Sequence, residues 1–114
     1  MKFEDILKLV PKVISLFKVQ LLDKAQLTES GNVTINYQNI IINPVFPPHA
    51  DIKGLAKMEF SPTLEKIIEE NIKQSLVAQK SVVASLPEKD VLQVVANNTA
   101  TSMANYYDQW KNKK

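Results

Sequence analysis

His49 is the only histidine in this chain of 114 residues, and Asp51 stands two positions after it. An imidazole can act as a general base or a metal ligand, and a nearby carboxylate can orient it. No nucleophile and no second His or Cys ligand stands at a spacing that would complete a catalytic or metal site with them. His49 and Asp51 are therefore expected to be structural or solvated, with ligand contact rather than catalysis as the functional alternative. Glu65, Glu69 and Glu70 form the other acidic group. Positions four apart share a helical face, but without a histidine on a facing helix the carboxylate di-metal pattern is incomplete, and a solvated face is expected. Neither GxxxxGK[ST] nor GxGxxG occurs, so neither familiar phosphate cradle exists. No metal and no cofactor is expected.

Composition narrows the chemistry further. With no cysteine, disulfides and thiolate–metal sites are excluded. All 14 basic residues are lysines, dispersed among 12 carboxylates for a net charge of +2. Without arginine there is neither bidentate guanine recognition nor guanidinium stacking, so sequence-specific nucleic-acid binding is not expected. The lysine-only usage, with many Asn and Ile, reads as the trace of an AT-rich bacterial genome. Glu4 and Asp5 occupy the place where a signal peptide is basic, so a cytoplasmic location is expected and the Asn-x-Thr triplets at Asn32 and Asn97 read as accidental. Lys8, Lys12, Lys18 and Asp23 interrupt the N-terminal apolar stretch well before the roughly 20 residues needed to span a bilayer.

These side chains must be carried by a small set of elements. Apolar residues at 45% of the chain are enough to bury a real core, and one domain over residues 1–114 is the expectation. Phe3, Ile6, Leu7, Val10, Val13, Ile14, Phe17 and Leu21 recur at three- and four-residue spacings, which predicts an amphipathic helix to about Leu22. Pro11 lies inside it and predicts a kink, or a second helix starting there. From Val33 the period shifts to two, predicting a hairpin with a Gln38-Asn39 loop that pairs Tyr37 with Ile40, Ile35 with Ile42 and Val33 with Pro44. Thr34, Asn36, Ile41 and Asn43 then face outward. Alternation through Ala56, Met58 and Phe60 makes residues 55–60 a candidate third strand. Pro44, Pro47 and Pro48 stiffen the loop that carries His49.

In the C-terminal half, Ser61-Pro62 predicts a capped helix start, and Leu64, Ile67, Ile68, Ile72, Leu76 and Val83 its apolar stripe. Ser85 with Glu88 reads as a capping box opening another helix, whose face is Leu92, Val95, Thr99, Met103, Tyr106 and Trp110. So short a join packs two helices antiparallel. The fold class expected is α+β: a kinked amphipathic helix, a β-hairpin with a candidate third strand, and an antiparallel helix pair over the apolar sheet face, the alternative being a helical bundle with a small hairpin.

Two apolar features exceed what a core requires. Leu9, Leu16 and Val19 broaden the first helix beyond one stripe, and Tyr106, Tyr107 and Trp110 cluster beside a basic tail. They nominate a non-enzymatic protein–protein interaction or oligomerising domain, with a protein partner or a second copy of the chain as ligand. A membrane surface met by the first helix is the alternative, and a small-ligand site or enzyme at the proline loop a further one, requiring a concave pocket there.

Overall fold

The computed structural model describes residues 2–22, 33–55 and 60–112. Along them the chain forms helix α1 (Phe3–Leu22), strands β1 (Ile35–Tyr37) and β2 (Ile40–Ile42), and helices α2 (Ile52–Leu55), α3 (Pro62–Ala78), α4 (Lys80–Ala84) and α5 (Glu88–Asn112). Helices and an antiparallel hairpin thus share one core, as the α+β reading requires.

α1 stays a single helix through Pro11, so no second helix begins there. Pro11 is exposed, on the side where water can take up the carbonyl left without its donor. The opposite stripe, Ile6, Val10, Val13, Ile14 and Phe17, is buried in the core.

The hairpin has the predicted register, Ile35 opposite Ile42 and Tyr37 opposite Ile40, with the ladder stopping short of Val33 and Pro44. Gln38 and Asn39 both take positive φ, 48° and 70°, which is the signature of a type I′ turn. The Asn39 N–H donates to Asn36 Oδ1 at 3.1 Å, pinning the turn from its own outer face. Val33, Ile35 and Ile42 are buried, β1 packing on α1 and β2 on α5, while Thr34, Asn36, Ile41 and Asn43 are exposed. The candidate third strand falls mainly on residues 56–59, outside those described; Leu55, before them, closes α2, a short helix the periodicity did not predict.

Ser61 caps α3 as expected, its hydroxyl accepting from the Leu64 N–H at 3.1 Å. The single stripe expected from Leu64 to Val83 is broken at Gln79, whose φ of −117° leaves the helical region before α4 resumes. Val83 nevertheless reaches the core. The Ser85–Glu88 capping box does not form. Ser85 has φ −88° and ψ −7°, so it is still the last turn of α4 and lacks the extended backbone an N-cap needs. Its hydroxyl donates back to the Val82 carbonyl at 2.7 Å, and α5 starts instead from the Pro87 carbonyl.

α5 is the central element, packing against α1, α2, α3, α4 and β2. Ala96, Ala100 and Ala104 are all buried along it, and such small residues let neighbouring backbones approach closely. It runs antiparallel to α3: Ser75 near the end of α3 donates to Asn98 Oδ1 at 3.2 Å, while Thr63 and Ile67 near its start share a groove with Tyr106.

Candidate interaction surface

The proline-stiffened segment 44–51 lies along α5 as a strap. At its start the Val45 N–H donates to Asn97 Oδ1 at 2.9 Å, and Gln93 Nε2 donates both to the Asn43 carbonyl at 2.9 Å and to Asn97 Oδ1 at 2.8 Å. Phe46 sets its ring edge-on to Phe17, with centroids 6.0 Å apart. At the far end His49 Nε2 lies 3.2 Å from Asp108 Oδ2. Asp51 Oδ1 accepts from the Gly54 N–H at 3.0 Å, capping α2, and its Oδ2 accepts from the Tyr107 hydroxyl at 3.5 Å.

His49 and Asp51 therefore do not orient one another. Each is turned to a different residue of α5, and both are exposed. A concave cleft does lie beside the loop, about 500 Å³ in volume and lined by Val33, Asn43, Val45, Phe46 and Ile52 among others. Its lining includes neither His49 nor Asp51. Among the described residues no group of three or more His, Asp or Glu side chains is gathered closely enough to hold a metal ion.

The apolar candidates divide sharply by position. Leu9 and Tyr107, at 6% and 7% exposed, are core residues of the single chain. The reason is helical phase: Tyr107 continues the buried line of Ala96, Ala100 and Met103 down α5, and Leu9 lies next to Ile6 and Val13 on α1. Leu16, Tyr106 and Trp110 are half-buried at the edge of the core, and Trp110 leans on Tyr107 with ring centroids 5.8 Å apart. Val19 is 61% exposed. No helix among the described residues is long and apolar enough to cross a membrane.

The outward face of α3 is the surface that periodicity missed. Ile68, Ile72 and Leu76 face the core at four-residue steps, so Ile67, about 100° around the helix from Ile68, turns away and is 44% exposed. Val77, on the same outward side, is 55% exposed. Between this face and α5 runs an open groove of about 430 Å³, lined by Thr63, Ile67, Glu70, Asn71 and Gln74 with Tyr106. Its charged lining residues are Lys66 and Glu70, while the other two glutamates of α3 lie outside it. Glu65 is neutralised by Lys18 of α1, and Glu69 lies 3.6 Å from Lys73 one turn on. The groove therefore has an apolar centre at Ile67 and Tyr106 edged by polar and charged side chains. Compared with models of protein families, with characterised proteins and with solved structures, the chain matches none.

Proposed function

We propose that this chain is a non-enzymatic interaction domain that works by self-association. The observation that carries the reading is the α3–α5 surface, where Ile67 stands exposed beside the half-buried Tyr106 at an open groove. Aromatic and aliphatic side chains in that setting are the usual anchors of protein contacts. Light scattering of the purified chain across a concentration series tests it. A mass that rises with concentration, with a melting temperature that rises in step, is the expected result. A monomer at high micromolar concentration overturns it.

The cleft beside the proline loop favours a second reading, in which the same domain takes up a small apolar molecule between Phe46 and Ile52. Saturable binding of an apolar fluorophore, lost on Val45→Asp at the exposed rim, is the outcome that reading requires.

A further inference from the structure

We infer that the partner on the α3 face is a second copy of this chain, docked antiparallel about a two-fold axis level with Ile68. The inference rests on the self-association reading and names its surface. α3 carries five charged side chains, Glu65, Lys66, Glu69, Glu70 and Lys73. Two of the carboxylates are satisfied within the chain, Glu65 by Lys18 and Glu69 by Lys73. What remains is Lys66 and Glu70, opposite in sign, one turn apart and both exposed, neither making an ion pair among the described residues. Pairing with each other along the helix is the poorer arrangement, because a lysine N-terminal to the glutamate is the weaker order at this spacing.

A closed two-fold contact has a specific requirement: one surface patch must complement itself. Lys66 and Glu70 meet it. When two α3 helices lie antiparallel with the axis level with Ile68, Lys66 comes opposite the partner's Glu70, and by the same symmetry Glu70 comes opposite the partner's Lys66. Both pairs fall on one side of the contact, because a two-fold axis across antiparallel helices keeps each flank on its own side. In this register Ile67 and the partner's Ile67 are out of step by two residues, about 3 Å at 1.5 Å per residue, so they pack together at the centre. Tyr106 borders that centre in each copy. The arrangement gives two ion pairs along one rim of an apolar middle, with charge fixing the register.

Sedimentation of the full chain with Lys66→Glu and Glu70→Lys tests this. Each variant alone sets like charges opposite one another at both pairs, and its dimer should weaken on the order of tenfold or more. Mixed one to one, the two variants restore both attractions, one copy supplying glutamates and the other lysines, and a dimer of wild-type strength should return. Both positions are exposed, and circular dichroism of each variant verifies the fold. If the wild type dimerises but the single variants keep its affinity, or the mixture fails to recover, the α3 register is wrong and self-association uses another face. If the wild type stays monomeric, the self-association reading itself falls, and this inference with it.

Discussion

Gly54 shows how much one hydrogen atom can matter here. A Cβ at that position would be driven into the phenol of Tyr107 and would lie 2.7 Å from Asp51 Oδ2. α2 approaches α5 closely only because residue 54 has no side chain. Gly54→Ala should therefore cost about 1–3 kcal/mol through overpacking, and Tyr107→Phe, which removes the nearest atom, should recover part of it in a double-mutant cycle read by thermal melting. Two isoleucines of α3 give a second contrast. Ile72 is fully buried and Ile67 is 44% exposed. Ile72→Ala should lose about 2–5 kcal/mol by lost transfer energy and cavity formation, whereas Ile67→Ala should stay within about 0.5 kcal/mol of wild type while weakening self-association. Equal losses in denaturant titrations would place Ile67 in the core after all. At this scale the sequence was a poor guide to the surface: a stripe containing Ile67, Ile68 and Ile72 does not say which of two adjacent isoleucines the core will take.

At the scale of elements, strands declared themselves more faithfully than helix ends. The shift of period at Val33 was enough to pair Ile35 with Ile42 and Tyr37 with Ile40, because a slip of one residue would turn every buried side chain to solvent. The turn between them is a compromise. Gln38 holds φ at 48°, a left-handed conformation that costs an ordinary residue roughly 1–2 kcal/mol and glycine almost nothing. Gln38→Gly should raise stability by a few tenths to about 1 kcal/mol, seen as a higher denaturation midpoint, the gain being trimmed by the freer unfolded chain. The Ser61 cap was legible because Ser-Pro before a glutamate states a helix start three ways at once. Ser85-Leu86-Pro87-Glu88 has the same letters, yet Ser85 is held in the last turn of α4. A capping residue is recognised by its backbone angles, and those are decided by what packs on either side. The break at Gln79 and the four-residue α2 are equally invisible to periodicity, since both answer to tertiary packing and neither changes the spacing of apolar residues.

For the whole molecule, the polar run Asn97-Asn98-Thr99 of α5 is where the fold is joined. Asn97 receives Val45 and Gln93, Asn98 receives Ser75, and the buried Thr99 donates its hydroxyl to the Val95 carbonyl at 2.8 Å. Sequence could not reveal the joints to Val45 and Ser75, because those groups lie more than 20 positions from Asn97 and Asn98 along the chain. Asn97→Ala removes the acceptor of the Val45 N–H and should cost about 0.5–1.5 kcal/mol, with amide exchange accelerating through the hairpin and strap before it does so in α3. Uniform acceleration over all elements would show that the strap and the helices open as one unit. The central position of α5 bears, finally, on how the protein is made. Synthesis delivers α1 and the hairpin first and α5 after everything it packs against, so the emerging chain carries the apolar faces of α1, α2, α3 and the hairpin with nothing yet to cover them. The core cannot close until α5 has cleared the ribosome, and until then those faces are the surface a holding chaperone would meet.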